Sequence, residues 1–404
     1  MSGKWPGGFI TKNAPEVVGP VGGEGGSAPG IWTLDQVADY EKQGLWPKPI
    51  LDAELYAWGS GFDGRLGLGD TANRSSPVQI GALVNWAYAS AGENHSLATK
   101  KDGTLWSWGD NGDGQLGIGN TTKKSSPVQV GALTNWTEAF GGGGFSIAKK
   151  SDGTLWSWGK AGNGQLGNGS TANKSSPTQI GALTTWDKVS PGGLHTLATR
   201  TDGTLWSWGY NGNGQLGDGT VTNRSSPVQI GALTTWSSVG AGWQCSFAIK
   251  TDGTLWSWGY NVLGQLGLGN TTNRSSPVQV GALTNWYSVT GGQLYALAIK
   301  TDGTLWAWGE GGNGRLGTGS TTDYSSPVQV GALTTWAKVY AGEASTHAIK
   351  TDGTAWAWGD NGVGQLGLGN TITISSPVQI GALTTWSTIQ KNSLSIHAIA
   401  ITKS

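Results

Sequence analysis

Residues 86–130 read WAYASAGENHSLATKKDGTLWSWGDNGDGQLGIGNTTKKSSPVQV. Trp86–Ala91 and His95–Lys100 are short apolar runs that read as strands, and Lys101-Asp102-Gly103 marks a tight turn after the second. Thr104–Trp108 is a third run, alternating and tryptophan-rich. A glycine-rich loop, Gly109–Ser126, leads to Pro127–Val130. That segment reads as a fourth, edge strand, because a proline at its start has no ladder donor to offer. Four short antiparallel strands with no helical period describe one propeller blade.

Outward from this stretch the unit repeats. Trp58, Trp108, Trp158, Trp208, Trp258, Trp308 and Trp358 fall 50 residues apart, each followed by glycine, and Pro77 to Pro377 keep the same spacing. A fixed period of this length means stacked or ring-closed units. The array opens on a third strand, Leu55–Trp58. It ends on Trp386–Ile389 and Ser395–Ile401, which stand for a first and a second. The half missing at one end is the half supplied at the other, so a closed ring is expected rather than a capped solenoid. The expected fold is all-β: a seven-bladed propeller of four-stranded antiparallel blades over residues 51–404, with one blade shared between the chain ends.

Glycine makes up 70 of 404 residues and charged residues only 12%, but the glycine is periodic and accompanies 24 tryptophans, unlike a disordered chain. Each buried tryptophan contributes about 4–6 kcal/mol as an upper bound. With 25 basic and 25 acidic residues and no basic run, nucleic acid and anionic membranes are not expected partners. The one cysteine, Cys245, gives no intrachain disulfide framework. No apolar stretch is long enough to span a membrane, and no apolar region follows Lys4 to make a signal peptide.

The motifs Asp-Gly-Thr-Leu-Trp-Ser-Trp-Gly, Asn-Gly-x-Gly-Gln-Leu-Gly and Ala-Gly-x-x-His-Ser-Leu-Ala resemble repeats of the regulator of chromosome condensation family, in its bacterial and viral style. The resemblance implies a seven-bladed propeller closed through a shared blade. For function it implies little, since that family includes a guanine-nucleotide exchange factor, a plant ultraviolet-B photoreceptor and a bacterial β-lactamase inhibitor protein. The photoreceptor's Gly-Trp-Arg-His-Thr repeats are matched only in part by Ala241-Gly-Trp-Gln-Cys245, which lacks the arginine. A neutral chain without a basic tail matches neither the chromatin binding nor the acidic catalytic face of the exchange factor.

In an antiparallel meander, the turn between strands one and two shares a face with the loop after strand three. The copies differ on that face, from Glu93-Asn94-His95 through Trp243-Gln244-Cys245 to Ser393-Leu394-Ser395, and at Ser60, Asp110, Lys160, Tyr210, Tyr260, Glu310 and Asp360. The opposite face is nearly constant. Differences gathered on one face mark a candidate recognition surface, although loop tips also tolerate drift. The expected binding residues are Trp243, Gln244, Tyr260, Tyr210, Tyr295 and His195, with Glu343, Glu310 and Asp323 forming a separate acidic sector.

No enzyme, cofactor or metal site is expected. His95 and His195 share one repeat column, and His347 and His397 another, as structural residues of the second strand would. Cys245 has no evident base, Asp110–Gly114 lacks the ligand spacing of a calcium loop, and no Gly-Lys-Ser/Thr follows the glycine-rich loops.

Residues 1–50 read as an attachment arm: a Gly/Pro-rich lead, then one short amphipathic helix opened by the capping box Thr33-Leu-Asp-Gln36 and ended at Gly44. Trp32, Leu34, Val37, Tyr40 and Trp46 are its expected contact residues. The segment from Ala28 to Pro47 is similar to a short element near the ends of structural proteins of marine tailed phages. That resemblance implies a non-enzymatic virion component (a capsid decoration, tail or fibre protein) assembled in a host cytoplasm. The arm would hold other virion proteins, and the variable face would meet a host surface protein or glycan. The alternative is a soluble interaction module of a bacterial cytoplasm, such as an inhibitor or hub.

Overall fold

The computed structural model describes residues 53–403 except 83 and 84, together with a two-residue antiparallel pairing of Lys4–Trp5 with Gly8–Phe9. The expected helix and its contact residues Trp32, Leu34, Val37, Tyr40 and Trp46 lie outside the described residues. Ala53–Lys403 forms one compact unit.

That unit holds seven four-stranded antiparallel sheets. In the first complete blade the strands are Trp86–Ala91, His95–Lys100, Leu105–Gly109 and Lys124–Gln129. First strands contact one another from blade to blade around the ring, so they line its centre and fourth strands form its rim. The shared blade pairs Trp386–Gln390 and His397–Thr402 with Leu55–Gly59 and Arg74–Gln79. Among the described residues the only helical elements are the one-turn segments Phe62–Gly64 and Gly312–Gly314, and none is long and apolar enough to cross a membrane.

Local chemistry explains each corner. The Asp102 carboxylate accepts from the Thr104 amide at 2.9 Å and the Thr104 hydroxyl at 2.6 Å, and that hydroxyl accepts from the Trp106 indole at 2.9 Å. Gly103, at φ +78°, presses against the link into the next blade, where a Cβ would stand 2.0 Å from the Thr134 carbonyl. The fourth strand begins at Lys124, three residues earlier than expected from Pro127. Pro127 sits inside a register irregularity that spans Ser107 to Gly109 on the neighbouring strand, where a missing amide breaks no ladder bond.

The core lies between blades. Leu97, Leu105 and Val130 of one blade pack with Trp136, Ala148 and Trp158 of the next, and the pattern recurs around the ring. The Trp108 indole reaches the preceding blade and donates to the Arg65 carbonyl at 2.9 Å, as Trp158 does to Gln115.

A polar pair also spans most junctions. The first residue of a second strand meets the second residue of the next blade's second strand. His95 Nε2 lies 2.8 Å from Ser146 Oγ, His195 Nε2 2.9 Å from Ser246 Oγ, and His397 Nε2 3.0 Å from Ser96 Oγ. Tyr295 makes the same connection, with its hydroxyl 3.1 Å from Thr346 Oγ1. Each of the three serines donates its one proton to a backbone carbonyl, so it must accept from Nε2–H, and the imidazole is neutral.

His397 therefore belongs with His95 and His195 rather than in a column with His347. It pairs with Gly59 as His95 pairs with Gly109, because the turn before it is two residues longer than in the first blade. That insertion also moves the start of this strand from Ser395 to His397. His347 does a different task, accepting the Trp58 indole proton at 3.3 Å.

Elsewhere the pair is mismatched or absent. Phe145 faces Thr196, whose fully buried hydroxyl finds no partner, and Cys245 stands in register with Ala296. Two substitutions then separate by sign. Ser146→Ala leaves His95 Nε2 unpaired and is expected to cost roughly 1–3 kcal/mol, whereas Thr196→Val removes an unpaired hydroxyl and is expected to stabilise by about 1 kcal/mol. Urea midpoints of the two variants check this, and a loss at Thr196→Val contradicts the reading.

Candidate interaction face

Seven backbone hydrogen bonds hold the variable turns against the variable loops. The amides of Asp110, Lys160, Tyr210, Tyr260, Glu310 and Asp360 donate to the carbonyls of Asn94, Gly144, Leu194, Gln244, Leu294 and Ala344 at 2.8–2.9 Å, and Ser60 donates to Ile396 at 3.1 Å. Both variable sets therefore share one face. Neighbouring turns also join, as when the Trp243 amide donates to the Gly292 carbonyl at 3.1 Å and that of Glu93 to Gly142 at 3.2 Å.

Four of the six expected binding residues reach this face. Trp243, Gln244, Tyr210 and Tyr260 are half-buried. The Trp243 ring lies on the preceding blade's turn, where a Cβ on Gly193 would approach it to 2.5 Å. Gln244 Oε1 accepts from Asn213 Nδ2 at 3.0 Å. The Tyr210 ring bends over Gly212, where a Cβ would stand 2.2 Å from its hydroxyl. These contacts brace the Trp243 and Tyr210 rings.

The other two residues do not reach it. His195 and Tyr295 are 0% exposed. Each opens a second strand, the position that points into a blade junction, so they brace the face from below. The acidic sector is partly consumed as well. Glu310 pairs with Arg315 at 2.6 Å, and Asp323 accepts the Gly311 amide at 2.8 Å. Glu343 is half-buried, and burial raises its carboxyl above the usual range.

The centre of the face holds a feature that repeat reading missed. The longer turn of the shared blade carries Lys391 and Asn392 inward. Asn392 Nδ2 donates to the carbonyls of Gly141 at 3.0 Å and Pro191 at 3.4 Å, two blades on the far side of the channel mouth. Lys391 Nζ donates to Ser345 Oγ at 3.0 Å, and burial lowers its ammonium to about 7. The signal in the sequence was Lys391-Asn392 in place of the usual Ala/Gly-Gly.

Nucleophilic chemistry finds no support at Cys245, because burial pushes its thiol up to about 12. Among the described residues, no group of three or more His, Cys, Asp or Glu side chains could hold a metal ion. Asp110 is engaged with Gln115 at 2.7 Å and Lys123 at 3.2 Å.

The sequence model of the RCC1-like domain matches residues 55–400. Human WBSCR16 superposes with a TM-score of 0.77 at 20% identity, over 87% of this chain and 99% of that one. Prp20p of Saccharomyces cerevisiae, in a crystal structure described with its binding properties to Gsp1p and histones, gives a TM-score of 0.78 at 20% identity, over 87% and 92%. Yeast RCC1 (Prp20) with Kap60 bound gives 0.77 at 20%, over 87% and 89%. At such identity these structures establish the fold. With the family model spanning every blade, this chain belongs to the RCC1-like domain family.

Proposed function

We propose that this chain is a non-enzymatic interaction module that binds a protein partner through the face centred on Trp243, Gln244, Tyr210 and Tyr260. The observation that carries the reading is the contrast between the two faces. The turns opposite repeat Asp-Gly and Gly-Ala-Leu, while this face changes in every blade and gathers three half-buried aromatic side chains on two adjacent blades, two of them braced. Rigid, half-exposed aromatics supply contact area at low entropic cost and dominate binding where they are buried by a partner. Solved relatives described with Gsp1p, histones and Kap60 bind proteins, which is consistent with this use of the scaffold.

The test is capture of partners by the whole protein, immobilised, against its Trp243→Ala/Tyr260→Ala double variant. Binding at this face should fall by more than about tenfold in the variant, with the unfolding midpoint unchanged. Equal capture by both proteins removes these residues from the reading. A place in a virion rests on the resemblance of residues 28–47, and deletion of residues 1–50 tests it. Lost particle incorporation with an intact propeller supports that placement, and retained incorporation ends it.

A further inference from the structure

Beneath the variable face a buried glutamine recurs in five blades, as Gln115, Gln165, Gln215, Gln265 and Gln365, each at most 2% exposed. In every copy Oε1 accepts the backbone amide two residues earlier at 2.9–3.0 Å, so the end left over is the NH2 group. In two copies an aspartate caps that end. Gln115 Nε2 donates to Asp110 at 2.7 Å, and Gln365 Nε2 to Asp360 at 2.6 Å. The capping position holds Lys160, Tyr210 and Tyr260 in the other three, and there Nε2 is buried without a partner. These amides are sealed from solvent, so water does not replace the missing acceptor. Three consecutive blades thus each leave unsatisfied a donor that one aspartate would satisfy.

An aspartate at those positions would also bring negative charge to the face. The turns beside Lys160, Tyr210 and Tyr260 are Gly143-Gly144, Gly193-Leu194 and Trp243-Gln244, and none carries a carboxyl. At the same places the remaining complete blades carry Glu93 and Asp110, Glu310, and Glu343 and Asp360. Lys160 is exposed and forms no ion pair among the described residues. The side-chain-free turn Gly143-Gly144 leaves it uncovered. Two carboxyls stand nearby. Glu93 feels the Lys160 charge, and Asp113 is held by Asn173 Nδ2 at 2.8 Å.

We propose that the arc from Lys160 over Tyr210 to Tyr260 and Trp243 takes an acidic protein segment bearing an apolar anchor, and that Lys160 is a specificity-determining residue of the face. This rests on the protein-binding reading above and adds the chemistry of the partner. The unsatisfied amides never touch that partner. They record the stability lost by keeping carboxylates off three neighbouring blades. A local rule broken three times running, on the face that varies, marks residues shaped by binding rather than by folding. Trp243 and Tyr260 receive the anchor, with Val262, 45% exposed, on the same loop as Tyr260. Lys160 attracts an acidic segment, while Glu93, Asp113 and the carboxyls of the remaining blades repel it and confine it to the arc. A basic segment would settle on those carboxyls instead. A nucleic acid strand also stacks on aromatic rings, but one unpaired cation does not neutralise a phosphate backbone.

A displayed library of random short peptides is selected on the immobilised whole protein, and the selected peptides are synthesised and titrated. Expected are peptides with Asp or Glu beside Phe, Leu or Trp, bound more weakly as salt is added. Their affinity should fall about tenfold or more on Lys160→Glu and on the double variant Tyr210→Asp/Tyr260→Asp. That double variant should also unfold at a higher urea concentration than the native chain, because each new carboxylate meets a glutamine amide as Asp110 and Asp360 do. Stability rising while binding falls is a pairing that a structural role for the tyrosines would not produce. A urea midpoint that does not rise, selected peptides that are neutral or basic, binding indifferent to Lys160→Glu, or binding of an oligodeoxythymidylate in place of the peptides overturns the proposal. Neutral or basic peptides that are nonetheless lost on Trp243→Ala/Tyr260→Ala leave the protein-binding face standing without its acidic partner. A library that yields no peptide removes both readings.

Discussion

A chain ending at Thr385 is expected not to form a stable ring. The truncation removes Trp386–Gln390 and His397–Thr402, the two inner strands of the shared blade. Trp386, Ile389, Ile399 and Ala400 are 0–1% exposed, and losing each large one costs about 2–5 kcal/mol. Leu55–Gly59 also loses its ladder with His397–Thr402, and the first strands lose their closing contact. These losses together exceed the roughly 5–15 kcal/mol that holds a domain folded. The expected result is aggregation or rapid proteolysis, with the near-ultraviolet circular dichroism of the packed tryptophans gone. A circular permutant supplies the control. Lys-Asp-Gly, the turn used between strands two and three elsewhere, joins Thr402 to Glu54, whose amide already donates to Thr402 Oγ1 at 3.1 Å. New termini open in the exposed link at residues 231–235. This permutant should fold, because every blade is then continuous. A folded truncated chain would contradict the closure argument.

The ring and its shared blade were legible because one constraint governs every copy. A 50-residue period with half a unit at each end has one closed solution, and the Asp-Gly turn and Trp-x-Trp run fix three strand positions in each of the six internal copies. What escaped reading has physical causes. Pro127 looks like a strand start because it cannot donate, yet it occupies a register irregularity in mid-strand. His397 falls in the wrong column because repeat reading assumes equal turn lengths, and a two-residue insertion moves it opposite Ser96. His195 and Tyr295 lie next to the variable turns in sequence. But the first residue of a second strand points into the junction, so chain proximity to the face did not mean exposure on it. The reach of Asn392 across the channel mouth joins residues more than 200 positions apart, which periodicity within one blade cannot express.

Acid should unfold this ring earlier than its carboxylates alone would dictate, and the junction histidines set the window. His95, His195, His347 and His397 are all 0% exposed, and no protein group accepts from the Nδ1 of any of them. Protonating His95, His195 or His397 would place an unpaired cationic N–H in a dry junction, and protonating His347 would set a second donor against the Trp58 indole N–H. Burial accordingly lowers His95 to about 4 and His195 to about 3, and holds His347 and His397 well below the ordinary value. The nearby Arg65 lowers His95 and His397 further, while Asp110 opposes this at His95. With folded values below the unfolded value of about 6.5, the unfolded chain binds more protons in between. The contribution of the histidines is therefore complete above about pH 6.5 and falls as the pH drops toward 4 and then 3. The slope approaches about 1.4 kcal/mol per pH unit for each histidine protonated only on unfolding. Over its window His95 alone accounts for on the order of 3 kcal/mol. Glu93 and Glu343, raised by burial, act in the opposite sense, because acid relieves their desolvation. Their window opens at the ordinary carboxyl value and extends upward into that of the histidines, so these two carboxyls offset part of the slope of the four imidazoles. Urea unfolding between pH 7 and 4.5 should show this slope in the native chain. The triple variant His95→Gln, His195→Gln, His397→Gln keeps an amide donor toward each serine hydroxyl and cannot titrate, so most of its slope should vanish. A flat profile in the native chain between pH 6.5 and 5, or an unchanged slope in the variant, would show that the junction imidazoles do not carry the acid sensitivity.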